Sequence, residues 1–415
     1  MRWPHSLRAL SHRNLRLFFA GQSVSLTGTW MQSVAQGWLV YRLTRSSELL
    51  GVIGFLSQLP VFLLGVYAGS VADRHPRRRV VLVTQVNAAF QAALMAALTL
   101  TGVVRPWHLM PLALMLGMSY AFEIPARQAL LGDIAGEAMP NALALNSSIV
   151  NAARVIGPAI AGYVVAAIGE GWCFALNALS FLGTIYALLV MRLPPEAPRP
   201  ATRRGAHLLE GLAYAGRTPM VRALLALLAF QSFFAMPFLT LLPLFAGGVL
   251  HGGPAMLGAL QAATGVGALV AAVLLMLRTG LRGLGRRVGI GASCMALGLA
   301  VFSQSRSPAL SLGALVVAGF GFISQSTGSL TLLQGLAPPE MRGRVMGLFS
   351  TIFVGLTPFG SLAGGFAAAR FGAPRTFLVG AGALGAASLV FHLLLPRFRR
   401  TVLPQHPTVF PPAIP

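Results

Sequence analysis

Long apolar runs separated by short polar breaks fill this chain from residue 15 to residue 396. Runs of helical length fall at 15–41, 48–71, 80–102, 107–130, 140–168, 172–191, 221–247, 254–277, 288–304, 309–333, 345–369 and 376–396. At about 1.5 Å per residue, each is long enough to cross a hydrocarbon layer. A bilayer gives backbone groups no water to bond, so such runs form helices, whose hydrogen bonds close within the segment. The pattern predicts an all-α membrane protein with twelve transmembrane helices. Polar positions are patterned too. Gln22, Ser25, Thr29, Gln32 and Gln36 recur in the first run at spacings of three and four, and so share a helix face. A polar face in hydrocarbon lines a cavity or buries against other helices. In the seventh run Gln231, Phe233, Phe234 and Met236 stand beside Pro237, which breaks the helix. Gln231 and Phe234 join the first-run residues as candidates for a substrate cavity, with packing as the alternative role.

The longest internal break lies halfway along. It opens with a proline-rich piece, Leu193 to Pro200, and continues as an amphipathic stretch, Ala206 to Ala215, suited to lying along a membrane interface. The chain is therefore read as residues 1–191 (six helices), a cytoplasmic linker 192–220, residues 221–396 (six helices) and a tail 397–415. The halves echo one another. Arg77-Arg78-Arg79-Val80 follows the second run as Arg286-Arg287-Val288 follows the eighth, and Gly157-Pro158 is matched by Thr357-Pro358. Offsets near 200 residues fit two parallel repeats about an axis along the membrane normal.

Composition agrees with this division and removes other classes. Hydrophobic residues make up 55% of the chain and charged residues 10%, with a mean hydropathy of +0.73. Soluble domains carry about 25% charged residues. A net charge of +22 would fit a nucleic-acid binder, but the arginines are scattered through short loops. Alternate loops, starting with the N-terminus, hold 24 arginines against 6 on the other side. The positive-inside rule then puts both termini in the cytoplasm, in a cell inner (plasma) membrane. No lysine is present, which excludes a P-loop lysine and Schiff-base chemistry. Cys173 and Cys294 have no partners at metal-ligand spacing, and no histidine pair is evident, so no metal or cofactor is expected. The first run is too long for a signal h-region and should remain as a helix.

Three clusters carry candidate chemistry. The turn Gly69 to Arg79 contains Asp73, Arg74, Arg77 and Arg78, and such charge must lie at a membrane face. Glu123 is the one carboxylate well inside an apolar run, about 10 Å from the cytoplasmic end of span four. An ionised carboxylate is costly there, so it takes up a proton or finds a cation. Arg127 follows at i+4 on the same face, and Arg154 is the other intramembrane charge. Pairing of Glu123 with Arg127 or Arg154 serves either to hold helices together or to couple protonation to movement. In Gly157-Pro158-Ala-Ile-Ala161-Gly162, the proline kinks the helix and the small residues permit close contact.

Twelve spans, a 6+6 division and the Asp-Arg turn together resemble the major facilitator superfamily. Gly69, Asp73, Arg74, Arg77 and Arg78 match that family's G-x-x-x-D-R-x-G-R-R signature, with Pro76 in place of its glycine. Gly157, Pro158 and Gly162 resemble the exporter signature G-P-x-x-G-G, with Ala161 in place of one glycine. Ile124-Pro-Ala-Arg127-Gln and Pro140-Asn-Ala resemble the branch of drug and siderophore exporters that includes the enterobactin exporter. The resemblance implies two pseudo-symmetric six-helix bundles that rock about a central cavity. It also implies export of a small organic compound by proton antiport. Glu123 would be the proton site with Arg154 as counter-charge, the Asp73 turn a cytoplasmic gate or else a plain topology anchor, and the Gly157 segment a seal against proton leak. Partners would be the substrate, protons and lipid, with no nucleic acid, and the protein a monomer. A facilitator or importer of a metabolic or lipid-like solute is the alternative on the same fold.

Overall fold

The computed structural model describes residues 9–192, 207–277, 280–281 and 283–402. The proline-rich start of the linker, Arg278, Arg282 and the end of the tail lie outside the described residues. Among the described residues the structure is helical, without a strand. The helices are α1 (Arg13–Thr44), α2 (Ser47–Arg74), α3 (Arg77–Leu100), α4 (Pro106–Ala135), α5 (Met139–Ile168), α6 (Glu170–Val190), α7 (His207–Arg217), α8 (Pro219–Phe230), α9 (Phe238–Leu244), α10 (Gly253–Met276), α11 (Leu284–Gln304), α12 (Pro308–Leu336), α13 (Pro339–Phe371) and α14 (Ala373–Val402).

Ten stretches among the described residues are long and apolar enough to cross a membrane. One of the ten, Pro106–Ile168, contains both α4 and α5, which separate at Gly136 with φ 47°. The polar stripe and flanking arginines of α1 keep it out of that group although it is 32 residues long. The seventh apolar run is not one helix. Between α8 and α9 the chain widens into a π turn at Gln231–Ala235, and a second π turn, Phe245–Val249, follows α9. Pro237 and Pro243 each remove a backbone donor in this stretch.

Helix ends follow local chemistry. Ser46 accepts a hydrogen bond from the Leu49 N–H at 3.1 Å and caps α2. At the other end of α2, His75 precedes a proline and is extended, with φ −113° and ψ 153°. Pro76 itself, at φ −52° and ψ 115°, starts α3. Its negative φ needs no glycine, so this turn accommodates the departure from the signature. The amphipathic stretch of the linker forms α7, and Arg344 of α13 is paired with its Glu210 at 2.7 Å.

The chain divides into two compact units. The first holds α1–α6 together with Ala246–Ala262, and the second holds α7–α9 as far as Phe245 and the chain from Ala263 onward. In the first unit α1 packs on α5 and α6, α3 on α4 and α6, and α2 on α4. Ala246–Ala262 join it through glycines. A Cβ on Gly247 would overlap the ring of Tyr41, and one on Gly258 would meet Gly162 of α5 at 2.7 Å from its Cα. In the second unit α11 packs on α12 and α14. There the rings of Phe245, Phe302 and Phe377 gather with centroids 4.1–5.8 Å apart.

Where glycine marks a backbone-to-backbone contact, a methyl group should destabilise; where it faces open space, alanine's better helix propensity should win. Gly258→Ala is expected to lower the thermal midpoint of the purified protein, by the equivalent of about 1–3 kcal/mol. Gly183→Ala, with nothing near its would-be Cβ, should leave the midpoint unchanged or raise it.

Candidate functional site

The polar face of α1 is buried, and its residues divide between two environments. Gln32 is locked into a relay. The Asn177 side-chain amide of α6 donates to Gln32 Oε1 at 2.7 Å, and Gln32 Nε2 donates to Gln91 Oε1 of α3 at 2.9 Å. Ser180 Oγ donates in turn to Asn177 Oδ1 at 2.9 Å. Gln36 is buried further along the same face, and Thr29 hydrogen-bonds Tyr120 of α4. Gln22 and Ser25 face a cleft between α1, α3, α4 and α6, together with Gln85, Glu123, Arg127 and Thr184. Gln22 also ties α1 to α5, donating from Nε2 to Asn146 Oδ1 at 2.9 Å.

Glu123 is the acidic group of that cleft, with its side chain 5% exposed. Arg127, one helical turn on and 25% exposed, donates from Nη1 to Glu123 Oε1 at 3.0 Å. The i,i+4 spacing alone brings the pair together, and burial makes it matter: two opposite charges in one contact cost far less than one alone. The Arg154 guanidinium lies over the Trp30 indole of α1, 5.4 Å from the ring centroid. Of the two partners that the sequence left open for Glu123, Arg127 makes the ion pair.

Beside Arg154, the Gly157-Pro158-Ala161-Gly162 segment makes two close contacts. Gly157 meets Trp30 and the Thr27 carbonyl of α1, where a Cβ would come within 2.6–2.8 Å. Gly162 faces Ala255 and Gly258, and Ala161 and Pro158 are buried. Small residues here let helix backbones touch.

The charged turn after α2 acts as a clip within the first unit. Arg77 donates to Asp133 Oδ2 of α4 at 2.6 Å and to the Ala129 carbonyl at 3.1 Å. Arg78 donates to the carbonyls of Leu189 and Met191 at 2.8 and 3.4 Å. Those carbonyls sit at the end of α6, where the last backbone acceptors lack helical partners and a cation meets the favourable end of the helix dipole. Asp73 is half-buried and Arg74 exposed; Asp73 has no ion pair among the described residues. Gly69 ends the apolar part of α2.

In the second unit Gln231 Nε2 donates to the Phe322 carbonyl at 3.2 Å, and Gln325 Nε2 to the Leu227 carbonyl at 3.0 Å. This reciprocal pair ties the π turn to α12 and leaves Gln231 fully buried. Phe234 is partly exposed and stacks on Phe230 at 5.5 Å.

Several residues escaped the sequence reading. Gln85, Gln91 and Asn177 are buried polar groups in runs that read simply as apolar; Thr84, Asn87 and Gln91, at i, i+3 and i+7, were the available signal. Glu170, at the start of α6, accepts from Arg42 Nε at 2.7 Å. Asp133 was visible as the chain's other aspartate. Among the described residues no group of His, Cys, Asp and Glu could hold a metal ion, and both cysteines are free.

A helical protein of apolar spans, with buried polar relays and an ion pair deep in span four, is a polytopic membrane protein. The chain belongs to the family described as Transmembrane secretion effector, whose model matches residues 5–411. That places it among the major facilitator transporters and not among enzymes. It is 26% identical to "Multidrug efflux pump Tap" of Mycolicibacterium fortuitum over 410 residues, covering 95% of this chain and 98% of that protein. It is 27% identical to "Enterobactin exporter EntS" of Shigella boydii serotype 4 over 423 residues, covering 96% and 97%. A third relative, "Staphyloferrin A transporter" of Staphylococcus aureus, is 26% identical over 267 residues, which span 63% of this chain and 66% of that protein. Among solved structures, a peptide transporter POT variant superposes with TM-score 0.77 at 12% identity, covering 94% of this chain and 96% of its own. A nucleoside transporter NupG variant gives 0.71 at 16% identity, covering 92% and 99%. At such identities these two show the fold alone.

Removing one member of the span-four pair should cost more than removing both. Arg127→Met is expected to destabilise by about 2 kcal/mol, between the values for exposed and buried pairs. Adding Glu123→Gln should recover most of that loss in a double-mutant cycle read by thermal midpoint.

Proposed function

We propose that this protein is a secondary exporter that moves a small organic compound of drug or siderophore type out across the inner membrane in exchange for protons. The observation that carries this reading is Glu123: a carboxylate buried in span four whose charge is matched by a single arginine on the same helix. A proton arriving at Glu123 neutralises it and releases Arg127. Loss of that proton restores the pair. Two such arrangements, differing by one proton, are what coupling requires. The names of the relatives, two of them efflux pumps or exporters, support outward transport.

Counting α1 and dividing Pro106–Ile168 at Gly136 gives twelve crossings, with both termini in the cytoplasm by arginine bias. Residues 1–191 and 221–396 form the two six-helix bundles of a monomer that alternates access, with 192–220 as linker. The turn holding Gly69, Asp73, Arg74, Arg77 and Arg78 serves as the cytoplasmic gate. Arg77 and Arg78 brace it within the first unit, and the Asp73 carboxylate, without an ion pair among the described residues, is the group for the moving contact. Gly157, Pro158, Ala161 and Gly162 seal the bundle. Arg154, stacked on Trp30, suits a neutral or anionic cargo better than a polycation. Gln22, Ser25, Thr29, Gln32, Gln36, Gln231 and Phe234 line the substrate path or set its shape.

Inverted membrane vesicles test direction and coupling together. An acid-inside gradient should drive substrate uptake into them, and Glu123→Gln should abolish the gradient's effect while sparing substrate counterflow. Uptake that ignores the pH gradient in the unmodified protein, or that runs only with the substrate gradient, would favour a facilitator instead. Asp73→Asn is expected to reduce the transport rate at least several-fold with little change in thermal midpoint; a parallel fall in both would reduce the turn to a structural anchor.

A further inference from the structure

The cleft that holds the span-four ion pair also presents two acceptors with nothing to accept from. Because Gln22 donates its amide hydrogen to Asn146, its Oε1 is committed to facing elsewhere, and it has no hydrogen-bond partner among the described residues. Gln85, two turns into α3, also has Oε1 unpartnered. Both side chains are more than nine-tenths buried, at 4% and 3% exposure, and both line the cleft with Ser25 and Glu123. An amide oxygen stripped of water and left unpaired costs about 1–3 kcal/mol. Two such oxygens on the wall of one cleft call for an electron-poor occupant.

The chemistry of the wall narrows its class. The polar ligands are all oxygen, from two amide carbonyls, two hydroxyls and a carboxylate; there is no imidazole or thiol, and the one sulfur is the weakly ligating thioether of Met191. An all-oxygen set of this kind suits a hard cation and not a transition metal. Apolar residues including Phe18, Leu188 and Met191 close the rest, which excludes a bulky organic ion. The charged groups of the cleft are Glu123 and Arg127, both from α4. The other helices contribute uncharged groups: Gln22 and Ser25 from α1, Gln85 from α3 and Thr184 from α6. Tyr120 of α4 also lies within the field of Glu123. One fixed negative charge favours a monovalent ion. Arg127, a quarter exposed, has room to swing away from Glu123 when another cation takes its place.

We infer that this cleft coordinates a small inorganic monovalent cation, Na⁺ or hydronium, through the oxygens of Gln22, Ser25, Gln85 and Glu123, with Arg127 as its built-in competitor. The inference rests on Glu123 as the coupling carboxylate and adds to it a preformed oxygen cage that a bare protonation site does not need.

The test uses the purified full-length protein and its thermal midpoint. In one arm NaCl replaces choline chloride at constant ionic strength and a single alkaline pH; in the other, pH falls in choline alone. Gln85→Met keeps length and removes the oxygen, whereas Gln85→Glu adds a charged one. If Na⁺ is the ion, it raises the midpoint, Gln85→Met weakens its apparent affinity by about tenfold or more, and Gln85→Glu tightens it. A purely structural glutamine would give no tightening. If acid alone raises the midpoint, and Gln85→Met blunts that rise, the ion is hydronium. Should Gln85→Met fail to fold, Ser25→Ala and Gln85→Glu carry the same comparison. The proposal is overturned if neither ion acts, or if the variants respond as the parent does. Glu123→Gln in vesicles separates the two readings. Loss of coupling there, with ion responses indifferent to Gln22 and Gln85, removes the cage and keeps the coupling carboxylate. Normal coupling, with cage-dependent ion responses, does the reverse.

Discussion

A polar side chain placed in hydrocarbon has no solvent to fall back on, and the first unit is organised around that constraint. The stripe along α1 meets counterparts on three other helices: Gln91 on α3, Asn146 on α5, Asn177 on α6. Each bond is modest in isolation, since polar contacts between membrane helices average well under 2 kcal/mol. Their value lies in register. A slip of α1 by one residue would break the Asn177–Gln32–Gln91 relay and strand three amides at once. The cleft around Glu123 is walled by α1, α3 and α6 of this set together with α4, so its geometry inherits that register.

Where polar bonds fix register, glycine fixes distance. Gly157 brings α5 onto α1, and Gly162 with Gly258 brings α5 onto α10, in each case with backbone or Cβ atoms where a larger residue's side chain would stand. Trp30 takes part in both kinds of contact, packing on Gly157 while its ring faces the Arg154 guanidinium. The exporter-like segment of α5 is thus a structural crossroads before any transport role is considered.

Much of this was legible in the chain. Apolar length predicted the helices, and the three-and-four spacing on α1 predicted a buried polar face, because both follow from helix geometry alone. The i,i+4 pair of Glu123 and Arg127 was equally local. What escaped depended on distant segments meeting. Nothing near Gln85 says that it will line one cleft with Gln22, and Asp133 gives no sign of Arg77 until α3 and α4 are packed. Arg154 was read as a possible counter-charge to Glu123 because both are charges in hydrocarbon; that its guanidinium would lie over the indole of Trp30 was not visible in the chain. The break at Pro237 was anticipated, but the π turns on both sides of α9 were not, since a wide turn leaves no mark in apolar periodicity.

Those wide turns set span seven apart from its neighbours. Each π turn houses one residue more than an α turn needs. One surplus residue turns everything after it by about 100° relative to an unbroken helix. The faces that Phe238 and Leu241 present are therefore set by the wide turn before α9 and not by the apolar pattern of the span, which a continuous helix would orient differently.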